Sequence, residues 1–402
     1  TPPLEPGGGL YAHTRPPPGP PRMSELSIRM ITRLSEIDPE AWEACANPPG
    51  SAYDPFLSWN FLDALETAGC AVEETGWGPR HLIAERDGAV VGVLPLYLKG
   101  HSYGEYVFDH GWANAFERAG GRYYPKLLTA VPFTPVTGRR VLAPDEAIRT
   151  ALTRAGRHVA RELNVSSWHV NFPAFPEWEA LGEEGLLQRM DRQFIWENRG
   201  YADYDAFLDD LSSRKRKALR KERRQAQEGV EIEALTGDAL DPMHWDVFFE
   251  CYMDTGARKW GAPYLNRDFF SLIHERMADE ILLVMARREG RYIAGALNFI
   301  GSDALYGRHW GRLEDHPCLH FELCYHQAVD FAIERGLKRV EAGAQGEHKH
   351  ARGYEAARVY SAHDIVDEGF RSAVADYLGR ERVAVESDIA AYAEESPFKR
   401  AG

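Results

Sequence analysis

The densest group of reactive side chains in this 402-residue chain lies between Gly343 and Tyr354, in the string GAQGEHKHARGY. Glu347 and His348 are residue types that can take a proton from an ammonium once partial burial tunes one of them toward neutrality. Lys349 and Arg352 can hold a developing oxyanion or a phosphate, and Tyr354 can return a proton to a leaving group. We therefore expect Glu347, His348, Lys349 and Tyr354 to be catalytic, Lys349 as the oxyanion or phosphate contact, with Gln345 and Arg352 as substrate contacts. Arg308 and Trp310 alternate along an extended run and set a cation beside an aromatic. Glu322 falls in the first turn of a helix, where a carboxylate suits the dipole. A second polar cluster, Asp109, His110, Tyr123, Tyr124 and Lys126, is expected to face the same cleft and touch substrate. His316 with His320, and His348 with His350, have ligand-like spacing. Pro317 interrupts a helix through the first pair and no third ligand is evident, so no metal site is expected. There is no G-x-S-x-G turn and no cysteine nucleophile motif, which disfavours a covalent intermediate.

These groups need elements to hold them. Ala294 to Ile300 and Leu305 to Trp310 are extended runs flanking Gly301-Ser302-Asp303, the pattern of an antiparallel hairpin. Phe321, Cys324, Tyr325, Ala328, Phe331 and Ala332 recur at three- and four-residue steps, the stripe of a helix lying on a sheet, and Gly336 ends it. Lys338 to Ala342 is a short strand that delivers the chain into the polar segment. A loop at the end of a buried strand is where α/β enzymes usually keep their chemistry.

The same order of signals occurs earlier. Asp38-Pro39 with Trp42 is matched by Asp241-Pro242 with Trp245, and Arg86-Asp87-Gly88 by Arg288-Glu289-Gly290. Each acidic-Gly turn leads into a strand with a central glycine (Gly92, Gly295), then a loop or hairpin, a long amphipathic helix and a final strand. One α/β (α+β) unit is written twice, which predicts two lobes, each a mixed and mostly antiparallel sheet flanked by helices. In the first unit helices are expected from Pro39, over 58–67 and over 147–163. Strands are expected over 81–85, 90–98 and 167–172, with an edge strand or bulge across 127–141. Residues 101–124 read as an irregular loop region. The division is a disordered Pro/Gly-rich extension over 1–22, a first lobe over 23–195, a basic helical connector over 196–235, a second lobe over 236–385 and a tail over 386–402.

A hydrophobic fraction of 44% excludes global disorder. No apolar run reaches the ~20 residues of a membrane span, and no signal peptide precedes the first lobe. Five scattered cysteines without a CxxC pair suit reduced thiols and a cytoplasmic protein. A formal net charge of −14 argues against indiscriminate nucleic-acid binding. Against that background Arg214 to Arg224 places eight Lys or Arg in eleven residues, a helix able to bind phosphate groups through Arg214, Lys215, Arg216 and Lys217.

The strings LSSRKRKALRKERRQAQEGV, AGALN, LYGRHWG, LHFE and VEAGAQGEHKHARGY, with PLYLKGHSYGEYVFDHGW, GGRYYPKL and VPFTPVTG in the first unit, resemble the FemAB-like proteins. These are a branch of the GNAT N-acyltransferase superfamily, and the resemblance covers about residues 28–385. It implies two tandem GNAT-like lobes and direct transfer of an acyl or aminoacyl group to an amine. It implies no tightly bound cofactor; acyl-CoA or aminoacyl-tRNA is the donor co-substrate. The acceptor would be a small-molecule or cell-wall-precursor amine, with tRNA as a further partner. The chain departs from the GNAT pyrophosphate loop before the second-unit helix, where it reads EDHPCLHFE without a glycine. Gly138, Arg139 and Arg140 before the first-unit helix are the better phosphate site. The basic residue that the FemABX enzymes carry before a Gly-aromatic pair is matched by Arg352 before Gly353-Tyr354, or by Lys349 one turn earlier. The alternative expectation is a non-catalytic protein recognising a cell-wall or nucleotide-linked ligand.

Overall fold

The structure, a computed structural model, describes residues 25–259, 263–344 and 346–399. The extension expected over 1–22, and Gln345, lie outside the described residues. The first half runs β1 (Leu26–Ile31), α1 (Pro39–Ala46), α2 (Trp59–Thr67), β2 (Trp77–Pro79), β3 (His81–Arg86), β4 (Ala89–Leu94) and β5 (Tyr97–Lys99). It continues with α3 (His110–Arg118), β6 (Lys126–Thr129), α4 (Glu146–Glu162), β7 (Ser167–Asn171), α5 (Phe175–Glu183) and β8 (Leu187–Glu197). Helices α6 (Tyr204–Asp210) and α7 (Ser213–Ala226) follow. The second half has β9 (Glu231–Leu235), α8 (Pro242–Lys259), α9 (Arg267–Met277), β10 (Ile281–Arg288), β11 (Arg291–Ile300) and β12 (Ala304–Arg312). Next come α10 (Leu319–Phe321), a π turn (Glu322–His326), α11 (Gln327–Glu334), β13 (Arg339–Glu341), β14 (Glu355–Ile365) and α12 (Glu368–Glu394).

The repeat is visible in backbone detail. Asp38 caps α1 by accepting from the Glu40 and Ala41 amides, with Pro39 at the first helical position. The β3–β4 and β10–β11 hairpins turn through Asp87-Gly88 (φ 52° and 80°) and Glu289-Gly290 (φ 52° and 76°). Two successive residues at positive φ match the strand twist, and an acidic residue followed by glycine tolerates that conformation. Trp42 and Trp245 are both fully buried.

β1, β3 and β4 form a small antiparallel sheet, and eleven strands form a second in the order β2-β5-β6-β7-β14-β8-β13-β12-β11-β10-β9. Among the described residues its parallel strand pairs are β6–β7 and β12–β13. Two strands change sides. β8, from the first half of the sequence, pairs with β13, and β14, from the second half, pairs with β7, while β8 and β14 pair with each other. The halves thus share one sheet. They also share a core, in which Phe56 and Phe61 pack against Phe269, Phe299 and Tyr306.

Several local expectations change. The edge strand or bulge expected across 127–141 is limited to β6, which is paired on both sides by β5 and β7. Residues 101–124 contain helix α3, because Trp112, Ala113 and Phe116 find an apolar partner in Phe370, Val374 and Leu378 on α12, more than 250 residues later. The tail expected from residue 386 instead continues α12. Val385 and Ile389 cover Met190, and Phe398 is buried against the second-half core.

Candidate functional site

β12 and β13 pair over only three residues, Ala304 to Tyr306 against Arg339 to Glu341. Beyond that point a cavity of about 380 Å³ opens, lined among others by Asn298, Arg308, Trp310, Cys324, Tyr325 and His348. A register shift between β11 and β12 leaves Arg308 unpaired between the Leu297–His309 and Asn298–Gly307 pairs, and such a bulge re-aims a side chain. Arg308 donates from Nη2 to the Phe133 carbonyl, so the first half supports this wall of a second-half cavity. Burial and the Arg308 charge depress His309 to about 3, which keeps its imidazole neutral.

The opposite wall comes from the π turn. Its wider winding sends Cys324 and Tyr325 toward the cavity and turns Glu322 and His326 toward α7. Glu322 is fully buried and accepts from Arg223 Nε (3.2 Å), Gln227 Nε2 (2.8 Å) and Gln327 Nε2 (2.8 Å). It anchors a helix and does not line the cavity.

After β13 the polar segment forms a 3₁₀ helix, Glu347–Arg352, between Gly346 (φ 115°) and Gly353 (φ 85°). A Cβ on Gly346 would sit 2.7 Å from the His348 ring, so glycine is required for that ring to turn inward. His348 Nε2 lies 2.9 Å from the Tyr325 hydroxyl. Lys349, 1% exposed, lies behind the wall and donates to the Gly343 carbonyl at 2.6 Å. Burial brings its ammonium down to about 7; Cys324 opposes this and Arg308 adds to it. Arg352 clamps the segment to α7 through two bonds to Glu222 (2.9 and 2.6 Å), donates to the His348 carbonyl and lies over the Phe321 ring.

The other expected residues are placed differently. Glu347 has a 73% exposed side chain, 3.7 Å from Arg192. Tyr354 is fully buried beside Tyr325 with an unpartnered hydroxyl, and burial raises its pKa, so it has no route to a leaving group. Asp109, Tyr123 and Lys126 do not face the cavity; they form a sealed ion network with Glu105. Lys126 donates to Glu105 (2.7 Å) and to Asp109, and the Tyr123 hydroxyl donates to Asp109 (2.6 Å). Burial would raise the Asp109 carboxyl, but Lys126 holds it below the usual range. Tyr124 bonds Ser102 at 2.9 Å, and His110 is exposed at the start of α3.

No phosphate site forms at residues 138–140. The Gly138 amide is bonded to the Phe172 carbonyl, and a Cβ there would meet Asp54 Oδ2 at 2.7 Å. Arg139 donates to the Ala46 carbonyl. Arg140 is buried, with its guanidinium on the carbonyls of Asn171, Arg139 and Val136 and within the field of Asp54 and Glu177. On α7, Leu219, Glu222, Arg223 and Ala226 face inward, while Arg214, Lys217, Lys221 and Arg224 lie exposed along one stripe. Arg216 pairs with Asp209 at 2.9 Å, and Lys215 is half-buried. An open cleft of about 1190 Å³ lies beside this helix, lined by Tyr204, Arg220, Lys221, Arg224 and Asp330 among others.

Asn298, His309, Cys324 and Tyr325 are cavity residues that sequence reasoning did not single out as such. Cys324 and Tyr325 read as core positions of a regular helix, because nothing in the apolar spacing signals the π turn.

A family model described as FemAB-like, peptidoglycan biosynthesis/recognition, matches residues 33–400. Among solved structures the chain is similar to FemX, with a TM-score of 0.53 and 13% identity over 84% of this chain and 98% of that one. It is also similar to L-PGS from Bacillus licheniformis, with a TM-score of 0.52 and 12% identity over 84% of this chain and 95% of that one. No match is found among curated protein sequences. No helix among the described residues is long and apolar enough to cross a membrane.

Proposed function

Because the chain belongs to the FemAB-like family, we propose that it transfers an acyl or aminoacyl group to an amine at the cavity between β12 and β13. The observation that carries this reading is the meeting of His348 with Tyr325 across that cavity, 2.9 Å apart, with Arg308 on the adjoining wall. His348 takes a proton from the acceptor ammonium. The free amine attacks the donor carbonyl and a C–N bond forms. Negative charge gathers on the carbonyl oxygen, within the field of Arg308 and Lys349. The proton first taken passes from His348 to solvent. As the C–O or C–S bond to the donor breaks, the His348–Tyr325 pair takes the remaining extra proton from the new C–N nitrogen and delivers one to the leaving atom, giving a neutral amide and a free alcohol or thiol.

For the donor we favour aminoacyl-tRNA. Supporting it are the exposed cationic stripe on α7 and the clamp from Arg352 to Glu222, which ties that helix to the His348 segment. The acyl-CoA alternative is weakened by the commitment of Gly138 and Arg140 to internal partners. The test incubates the full chain with label-carrying aminoacyl-tRNA, or with labelled acetyl-CoA, and a cell-wall-precursor amine. Label is expected in a new amide from the tRNA donor, falling ~10²–10⁴-fold in His348→Gln, the usual share of a positioned acid/base. Because glutamine can keep a hydrogen bond to the Tyr325 hydroxyl, the denaturation midpoint of that variant should move little. Ligand binding without any amide product would turn the reading toward recognition alone.

A further inference from the structure

Elsewhere among the described residues most buried or half-buried arginines are matched with acids, although Arg149 bonds only the Ala143 and Pro144 carbonyls. Arg189 holds Glu381 at 2.7 Å, Arg223 holds Glu322 at 3.2 Å, Arg339 holds Glu341 at 2.9 Å and Arg352 holds Glu222 at 2.6 Å. Even Arg140, bonded to carbonyls, has the charges of Asp54 and Glu177 beside it. Arg308 is different. It faces the cavity, and the partners of its guanidinium are neutral, the Phe133 carbonyl and the Tyr106 side chain. Lys349 behind it bonds the Gly343 carbonyl. Among the described residues no carboxylate lies within ion-pair distance of either cation, and no Asp or Glu lines the cavity.

The acids that come near are already engaged. Glu341, whose field reaches Arg308, is held by Arg339. Glu322 is held by Arg223 and two glutamines, and Glu347 points outward. The remaining walls, including Trp310, Tyr325 and His309, are neutral or aromatic. A cation withdrawn from water is costly unless an anion meets it. Arg308 without one therefore stands as an uncompensated positive charge at the cavity wall, and Lys349 behind it adds to that charge whenever it is protonated.

We propose that the ligand of this cavity carries a carboxylate that pairs with Arg308, so that the site selects a carboxylate-bearing group over its neutral counterpart. This deepens the transfer reading and rests on it only for which end of the ligand reacts. The carboxylate belongs either to the amine acceptor or to the acyl group, and matched probes separate these sources. L-alanine against L-alaninamide presents an amine with and without the carboxylate. N-methylsuccinamate against N-methylsuccinamide presents an acyl chain with and without it.

Binding of each probe to the full chain is measured by saturation-transfer NMR, for the wild type, Arg308→Gln and Arg308→Lys. At least one carboxylate is expected to bind about tenfold more tightly than its amide, the scale of a charge-assisted bidentate contact. Arg308→Gln should abolish that preference and Arg308→Lys should keep part of it. A preference in the alanine pair assigns the acceptor, and one in the succinamate pair alone assigns the acyl group. Equal affinity within both pairs, including no binding of any probe, overturns the proposal in the wild type without recourse to a variant. That result is also expected if the two cations serve only a transient oxyanion. Inorganic phosphate competing more strongly than either carboxylate, through Arg308, would overturn it too. No turnover is required, so a failed transfer assay and a failed carboxylate preference remain separate results.

Discussion

Lys349 is a buried amine whose charge state depends on what surrounds it. Burial lowers its pKa from 10.5 to about 7. Between those values the unfolded chain binds a proton that the folded chain does not, so this residue makes stability rise with pH across that window. Below about 7 both states are protonated and the full cost of a buried ammonium is felt. Lys349→Met is accordingly expected to stabilise the protein by ~1–3 kcal/mol at pH 6 and by little near pH 10. Urea midpoints at the two pH values check this; a gain equal at both would mean that packing alone is responsible. That a polar segment holding His348 and Lys349 follows a short buried strand is legible in the sequence, because the composition changes abruptly after Ala342. The true place of Tyr354 is not, because a tyrosine after glycine carries no local sign of burial. It is buried by Phe207, Tyr325 and the strands around it, contacts that join distant parts of the chain.

Among the elements, α7 is the one whose two faces do different things. Its inner face is fixed by Glu222, which accepts from both Arg352 and His326 (2.9 Å). Glu222→Gln would leave Arg352 buried with a weakened partner. A loss of ~2–4 kcal/mol is expected, toward the range for breaking a buried ion pair, with faster amide exchange over residues 347–352. If exchange there is unchanged, Glu222 does not hold the segment. The outer face should behave oppositely. Replacing Lys217, Lys221 and Arg224 by alanine is expected to move stability by no more than ~0.5 kcal/mol. For a polynucleotide ligand it should flatten the dependence of log affinity on log salt by about one unit for each phosphate no longer neutralised. An unchanged slope would place the RNA elsewhere. The basic run and its helix can be read from composition. Which of its cations face water cannot, since that follows from packing against the π turn. Helix α3 is hidden for a similar reason: its apolar side is satisfied by α12 and by His363 on β14, both distant in sequence.

For the whole molecule, the duplication is readable because a turn that demands positive φ leaves the same acidic-Gly mark wherever it occurs. The exchange of β8 and β14 leaves no such mark, since pairing between distant strands depends on no local spacing. Its thermodynamic result is that neither half completes its sheet alone. A fragment ending at residue 230 would expose the β7 and β8 edges that β14 covers and is expected to show no cooperative thermal transition by circular dichroism. The full chain should melt in one. A sharp transition in the fragment would mean that the first half is an independent domain after all.

The shared sheet also bears on how the protein is made. Ser361 reaches the ribosome exit 190 residues after Asn171, the residue it pairs with. At translation rates of ~5–20 residues per second, that leaves roughly 10–40 s in which β7 stands without its neighbour. For that interval the nascent first half offers open strand edges, the surfaces on which chains pair wrongly with one another. The yield of active protein in a cell should therefore depend on how long those edges can be shielded, so slower translation of the second half would lower it even when the finished fold is stable.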